Sequence, residues 1–266
     1  MAIDYIIDYD CIPKQTIGTD GILQRLKARE RAYTVIKLFR DHGDERPPSE
    51  MGFEFVRRTP EGEEETQVIV VQDLLDEAQA LTPLEPHCAG CPANRTGQPF
   101  GCMGFVSYPI SEQGESWLLD RLPVPDEPLV WLLLRQVVKE FEYDGASVRE
   151  WRETANTFFE AADVKVRRLG EVKVDANQMF EILFGRRPYI IPKQAALLLL
   201  VLRVIERDLE ADEIRALNPA PADALARYPI TITDDETDDQ TVRELKDFLR
   251  ALYTAWALDV NLLIDA

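Results

Sequence analysis

The sequence predicts an α+β protein, and three observations lead to that class. Near the start, apolar and charged residues alternate through Ile3–Asp8, which is typical of a strand. Two runs rich in β-branched and aromatic residues, 53–58 and 66–71, flank the turn-forming segment 60–65 and indicate a hairpin. Beyond residues 123–128, most of the chain has helical spacing. We therefore expect a small mixed or antiparallel sheet with helices in the N-terminal part, and a mostly α-helical C-terminal part.

The N-terminal part contains two further helices and a fourth strand in this interpretation. A helix that Thr19 or Asp20 caps runs to Gly43, and a short helix starts at Asp73 and reaches Leu81. The first strand is expected to end at residues 10–13. Residues 82–103 show no periodicity and are expected to form a long irregular segment. The run 105–108 is a candidate fourth strand. If the first strand lies beside it, Cys11 at the end of the first strand is brought toward the later cysteines.

The C-terminal part reads as a series of helices interrupted by one small hairpin. Helices are expected over 129–141 and 147–160, a hairpin over 164–174, and a helix from Asp175 to Phe184 whose capping box pairs Asp175 with Gln178. Pro192 opens a helix reaching about Leu209, and its run 195–205 is apolar nearly all round, so it should be the buried centre of this part. A final helix, capped by Asp238 or Asp239, places these residues on one face: Val242, Leu245, Leu249, Leu252 and Trp256.

Charge restricts the partners that the protein can have. The chain has 266 residues, 48 acidic against 30 basic, and a formal net charge of −18. A surface of that sign repels nucleic acid and anionic membranes and favours a basic partner. We therefore expect no nucleic-acid binding and a protein partner.

Compartment and domain organisation follow from short segments of the chain. The N-terminus is acidic and has no secretory signal, and the longest uncharged apolar run, Ala195–Leu202, is too short to cross a bilayer. A cytoplasmic protein that does not insert into membranes is expected.

The segment 123–128 contains three prolines and predicts a linker between an α+β part, 1–124, and a helical part, 125–266.

Three of the four cysteines lie in one segment and point to a metal. Two residues separate Cys88 from Cys91, and ten residues separate Cys91 from Cys102. Thiolates at such spacing bind tetrahedral zinc, and clustered cysteines in a reducing compartment are more often ligands than disulfides. The fourth ligand is either Cys11, at the expected end of the first strand, or His87, directly before Cys88.

The function expected from this cluster is non-catalytic. A structural zinc ion would order residues 82–104, and the protein would act through protein–protein interaction. One alternative is an iron–sulfur protein with a redox role, because Cys91–Pro92 is similar to ferredoxin-type ligation. A second is a zinc-dependent enzyme with a scattered site. Catalysis has little support, since the chain has two histidines and lacks the familiar hydrolase and nucleotide-binding motifs.

The acidic run 234–239 lacks the central glycine of a calcium loop and is expected to cap the last helix.

Overall fold

A computed structural model describes residues 2–58, 64–140, 143–153, 157–185 and 188–265. Helix accounts for 51% and strand for 14% of the chain, with one small antiparallel sheet of four strands and two hairpins, so the predicted α+β class is confirmed. The chain divides into two compact units. The sheet unit comprises Met1–Tyr9 with Gly101–Ala266, and the hairpin unit comprises Asp10–Phe100.

The strands in chain order are β1 (Ala2–Ile7), β2 (Gly52–Arg58), β3 (Glu64–Val70), β4 (Met103–Ser107), β5 (Val166–Leu169), β6 (Val172–Asp175), β7 (Tyr189–Ile190) and β8 (Leu262–Asp265). The α-helices are α1 (Ile12–Ile17), α2 (Thr19–Asp41), α3 (Val71–Ala78), α4 (Glu112–Asp120), α5 (Pro128–Glu140), α6 (Ala146–Glu153), α7 (Ala176–Phe180), α8 (Pro192–Val201), α9 (Ala211–Arg215), α10 (Ala224–Arg227) and α11 (Gln240–Ala257). Short 3-10 helices occupy Pro48–Glu50 and Gln79–Cys88, and a π-helical turn, Glu181–Gly185, follows α7.

The sheet unit contains a four-stranded antiparallel sheet in the order β4-β1-β8-β7. The first strand lies beside the strand after the cysteines, which was the condition for considering Cys11 as a ligand, and Tyr5 of β1 is opposite Gly104 of β4. Tyr5 is buried, and a Cβ atom added to Gly104 would lie 2.3 Å from its hydroxyl oxygen. The tyrosine ring therefore packs directly on the backbone of β4, which only glycine permits.

Helix α11 packs on this sheet and on α8. The five residues assigned to its apolar face are all buried, and Asp239 caps the helix by accepting a hydrogen bond from the N–H of Val242 at 2.8 Å. Most of α8 is buried as expected, although the helix ends at Val201 and not near Leu209. The acidic run before α11 is thus a helix-capping segment.

The hairpin unit is built from β2 and β3, α2 and α3. Its apolar core consists of Ala28, Ala32, Met51, Val71 and Leu74, with partly buried side chains of the same elements packed around it. Helix α2 begins at Thr19 with Gly18 in the capping position, so the predicted side-chain cap by Thr19 or Asp20 is wrong. The predicted hairpin is confirmed, and its turn at 59–63 lies outside the described residues.

Other sequence predictions were wrong locally. Residues 12–17 form α1 and not a strand end, because Pro13 fits the first turn of a helix. Part of the expected irregular segment is the 3-10 helix Gln79–Cys88, whose two prolines are spaced by three residues. Of the helix expected over 147–160, the structure describes α6, Ala146–Glu153; residues 154–156 lie outside the described ranges, and the residues from Thr157 onward are not helical. Strand β8 was not predicted.

The small C-terminal hairpin and the capping box after it are confirmed. Strands β5 and β6 pair as expected, the Asp175 carboxylate accepts a hydrogen bond from the N–H of Gln178 at 2.9 Å, and the Gln178 side chain accepts one from the N–H of Asp175 at 3.0 Å. The proline-rich segment 123–128 lies within the sheet unit, and a protease-sensitive linker there stays a prediction. No helix in the described ranges is long and apolar enough to cross a membrane.

Candidate metal centre

Cys88 and Cys91 lie at the two ends of one tight turn in the hairpin unit. Cys88 is the last residue of the 3-10 helix, and the N–H of Cys91 donates to the Cys88 carbonyl at 3.3 Å. Gly90 between them has φ 74°, the left-handed conformation that glycine adopts without strain. The turn therefore returns the chain toward Cys88, as a two-thiol metal ligand requires.

The thiol of Cys88 is buried and accepts a backbone hydrogen bond. Its sulfur lies 3.2 Å from the nitrogen of Phe100, and 8% of the residue is exposed. An N–H that points at sulfur favours the thiolate, which is the form that binds metal. Burial nevertheless raises the pKa of Cys88, and the neighbouring groups Cys11, Cys91 and Glu85 raise it further through like charge. Without a cation, this thiol stays protonated at neutral pH.

Cys11 belongs to the same unit as this pair. It occupies the capping position before α1, and α1 packs against the 3-10 helix that ends at Cys88. Cys11 and Cys91 are both half-buried. Within the hairpin unit, the helix that follows Cys11 therefore packs on the element that ends at Cys88, although Cys11 lies 77 residues earlier in the sequence.

The other two candidate ligands are placed differently. His87 is exposed beside Cys88. Cys102 belongs to the sheet unit, directly before β4, where it is buried and its carbonyl accepts the N–H of Ile7 at 3.0 Å. None of the four cysteines is in a disulfide. In the part of the chain that the structure describes, no three or more His, Cys, Asp or Glu side chains are already arranged around a common metal position.

Asn94 organises the segment after the cysteine turn. Its amide nitrogen donates to the carbonyls of Cys88 at 2.9 Å and Gln98 at 3.0 Å, and its side-chain oxygen accepts the N–H of Gly97 at 3.0 Å. One asparagine thus satisfies three backbone groups of an otherwise irregular stretch. No sequence prediction included Asn94, although an asparagine three residues before a glycine is a usable turn signal.

The acidic run before α11 has protein partners. Asp238 forms a buried ion pair with Lys246, Asp239 caps α11, and Asp234 pairs with Arg250 at 2.7 Å. Asp234, Asp238 and Asp239 therefore bind groups of α11, in agreement with the expectation that this run caps the last helix.

Two polar clusters of the sheet unit have no sequence motif. In the first, Arg152 of α6 donates to Glu115 of α4 at 3.0 Å and to Asn177 of α7 at 3.0 Å, all three side chains being buried. The second consists of several arginines near the end of α8. Both clusters bring together residues that are tens of positions apart in the chain, so no local sequence pattern predicts either cluster.

Comparison with known proteins adds no relative. The chain matches no protein-family model, and no curated protein or solved structure is significantly similar to it. The interpretation of the cysteine site therefore depends on its own geometry and chemistry.

Proposed function

We propose that this is a metal-binding protein in which Cys11, Cys88 and Cys91 of the hairpin unit bind one zinc ion in a structural role. The observation that carries the proposal is the Cys88–Cys91 turn, in which the Cys88 sulfur accepts the Phe100 N–H at 3.2 Å. Backbone N–H groups that donate to the coordinating atoms fix ligand orientation in metal sites.

A cation reverses the electrostatics of the cluster. Burial and the like charges of neighbouring groups favour the protonated form of Cys88, whereas a divalent zinc ion bound by the cysteines favours the thiolates. Binding releases protons, and its free energy becomes stability of the segment that supplies the ligands. Softer thiolate ligands suit zinc or an iron–sulfur cluster better than magnesium or calcium.

A fourth ligand determines whether the site is closed. The sequence predicts Cys88, Cys91 and Cys102 as ligands, with Cys11 or His87 as the fourth. Because the present proposal takes Cys11 together with Cys88 and Cys91, Cys102 and His87 are the candidates for the remaining position. Four protein ligands fit a structural zinc, whereas three ligands with a water fit catalysis. Cys102 remains a candidate on its spacing alone. His87 is the weaker candidate, because it adjoins Cys88 in the chain and is exposed.

The biological role that goes with a structural zinc is protein–protein interaction in the cytoplasm. A formal net charge of −18 supports a basic protein as the partner. The same charge disfavours nucleic acid.

Metal content is the decisive measurement. Protein purified without chelator and without oxygen is expected to contain about one zinc per chain by elemental analysis and to be colourless. Iron together with visible absorption would favour the iron–sulfur alternative. A protein that contains neither metal and takes up neither on addition would contradict the proposal.

Ligand variants then assign the site. Cys11→Ser, Cys88→Ser and Cys91→Ser should each lower zinc content, whereas the overall helical content is retained. Between Cys102→Ser and His87→Ala, only the true fourth ligand should reproduce that loss. His42→Ala serves as a matched control, because His42 is exposed at the end of α2 and lies far along the chain from the cysteine turn.

A further inference from the structure

Four arginines of the sheet unit converge where α8 ends. Arg121 donates to the Leu202 carbonyl at 2.5 Å and also to the carbonyl of Arg203. Arg207 donates to the Leu200 carbonyl at 2.8 Å and to the carbonyl of Arg121. These contacts tie the segment after α4 to the C-terminal turn of α8.

Arg167 of β5 reaches the same segment from another side. Its Nη1 donates to the Leu119 carbonyl at 2.6 Å, at the C-terminal end of α4, directly before Arg121. Arg203 itself follows α8 and is exposed. Arg121, Arg167, Arg203 and Arg207 form what we call the arginine cluster.

Negative charge around the arginine cluster is sparse. Glu127 binds Arg207 at 3.0 Å, and in the described ranges it is the one carboxylate hydrogen-bonded to a guanidinium of the cluster. Asp120 lies 4.0 Å from Arg167 and is mostly exposed, and Glu206 accepts the backbone N–H of Arg207. Burial, with the like charges of Arg207 and Arg203, lowers the pKa of Arg121 to about 10.

The backbone of Arg203 is strained. Its φ of 51° is left-handed, at the position after a helix where glycine is the usual residue. A left-handed conformation costs a non-glycine residue free energy, and a third arginine near Arg121 and Arg207 adds like-charge repulsion. Within the described part of the chain, the Arg203 guanidinium makes no hydrogen bond, so the protein's own contacts do not explain why arginine occupies this position.

The members differ in how much donor capacity they retain. Arg207 is 6% exposed and uses its guanidinium on carbonyls and on Glu127, so its role is structural. Arg121 uses Nε and Nη2, and Arg167 uses Nη1. Nη1 of Arg121, Nε and Nη2 of Arg167 and the whole Arg203 guanidinium make no hydrogen bond to the described residues.

We propose that Arg203, Arg121 and Arg167 form a binding site for a phosphate group, presented as inorganic phosphate or as the phosphate of a small metabolite. Planar guanidinium groups bind phosphate oxygens through paired hydrogen bonds. A dianion would offset the repulsion within the arginine cluster. On a protein that is acidic overall, a local cationic site of this kind selects small anions, since large polyanions meet the negative surface around it.

Phosphate at fixed ionic strength tests the site in the intact protein. Because a ligand that binds the folded state raises stability, inorganic phosphate should raise the unfolding midpoint by roughly 5 °C at about a hundredfold excess over its Kd, relative to chloride of equal ionic strength. Calorimetric titration of inorganic phosphate gives the Kd directly. Titration of glycerol phosphate in parallel distinguishes the two sources, since a metabolite site binds the monoester at least as tightly.

Arg203→Gly is the sharpest variant, because a structural role and a binding role predict opposite results. Glycine relieves the left-handed strain and removes one like charge, so the midpoint in chloride should stay the same or rise. Loss of a charge-assisted contact should weaken phosphate binding about tenfold or more. Arg167→Ala should weaken it similarly. Arg168→Ala, at the next position of β5, is the matched control and should leave the Kd unchanged.

Three outcomes would overturn the proposal. Phosphate could stabilise the protein no more than chloride, or bind Arg203→Gly and Arg167→Ala as tightly as it binds the wild-type protein. An equal loss of phosphate affinity in the control Arg168→Ala would mean that the effect comes from nonspecific charge. The zinc proposal is unaffected by any of these, since the cysteine variants are scored by metal content.

Discussion

The centre of the sheet unit and the cysteine segment of the hairpin unit are held by different means. Around α8 and α11, successive apolar side chains are buried, among them Leu202 and Trp256, both fully. In the cysteine segment, residues 88–100, most positions are exposed or half-buried, and order comes from hydrogen bonds centred on Asn94. The first region is stabilised by burial of apolar surface, and the second by hydrogen bonds to backbone N–H and C=O groups.

This difference decides which changes the two regions tolerate. Burial free energy scales with buried volume, so truncation in the first region costs several kilocalories per mole. A local hydrogen-bonded turn contributes far less to global stability and can be remodelled by a ligand. The second region is the more suitable place for a metal site, because a bound metal can order that segment without requiring buried apolar side chains to repack.

The largest expected effect is at Arg152 in the sheet unit. Its ion pair with Glu115 has side-chain exposures of 4% and 0%, and its guanidinium carbon lies 3.9 Å from the centre of the Phe159 ring. Arg152→Met leaves the buried Glu115 carboxylate without its charged partner, with only the 3.4 Å hydrogen bond from the backbone N–H of Lys165 among the described residues, and should lower the free energy of unfolding by about 3–5 kcal/mol. Denaturant unfolding measures this. The control, Arg215→Met, removes an ion pair that is 81% and 92% exposed and should cost less than about 0.5 kcal/mol.

The same pair gives a pH dependence with a definite sign. Burial raises the pKa of Glu115 above its ordinary value of 4.5, although the hydrogen bond and charge of Arg152 oppose the shift. The folded protein then binds this proton more tightly than the unfolded chain does, so the contribution of Glu115 is most favourable below pH 4.5 and declines as pH rises through the raised pKa. Relative to Glu115→Gln, wild-type stability should fall over that window. If wild-type stability instead rose with pH relative to Glu115→Gln, the charge and hydrogen bond of Arg152 would outweigh burial and lower the pKa of Glu115.

Leu202 measures the apolar centre directly. It is 0% exposed at the end of α8, so Leu202→Ala should cost about 2–5 kcal/mol through lost burial and a cavity. Leu198 is 9% exposed, and its truncation should fall at the low end of that range. Leu132→Ala, with 54% exposure on α5, should cost less than about 0.5 kcal/mol. Equal costs at Leu202 and Leu132 would place α8 at the periphery.

Much of the fold was predictable because the signals are local. Helix α11 has its apolar stripe and its cap within one stretch of sequence, and the Asp175–Gln178 capping box needs only four residues. Strand β1 was expected from the alternation of apolar and charged residues. Strand β8 has only four residues, and its assignment depends on pairing with β1 and β7, which no local pattern encodes.

The candidate site was predictable only as a set of residue types. Spacing singled out Cys88, Cys91 and Cys102, and Cys11 was considered as a fourth ligand from its place at the expected end of the first strand. The turn through Gly90 and the hydrogen bond from Phe100 to sulfur arise from backbone geometry that spacing does not specify. The expectation that residues 82–104 need a metal for order overlooked Asn94.

Asp239 tests the helix cap in the sheet unit. Its carboxylate accepts the N–H of Val242 at 2.8 Å, so Asp239→Ala should cost about 0.5–2 kcal/mol in thermal or denaturant unfolding. Glu236→Ala changes an exposed carboxylate of the same acidic run and should be nearly neutral. If both variants lose the same amount of stability, the acidic run acts through its overall charge and not through the helix cap.

The smallest global effect is expected in the cysteine segment, at Gly90. Its φ is 74°, and an added Cβ would have no heavy atom within 4 Å, so Gly90→Ala adds backbone strain without a steric clash. That strain is worth about 1–2 kcal/mol and acts on the turn between Cys88 and Cys91. Amide hydrogen exchange should therefore speed up at residues 88–100, while the exchange of α11 stays unchanged. The control is Ala89→Gly at φ −66°, which leaves the turn conformation accessible. Should Gly90→Ala lower global stability as much as Leu202→Ala does, the cysteine segment would be part of the cooperative core, and the contrast between the two regions would fail.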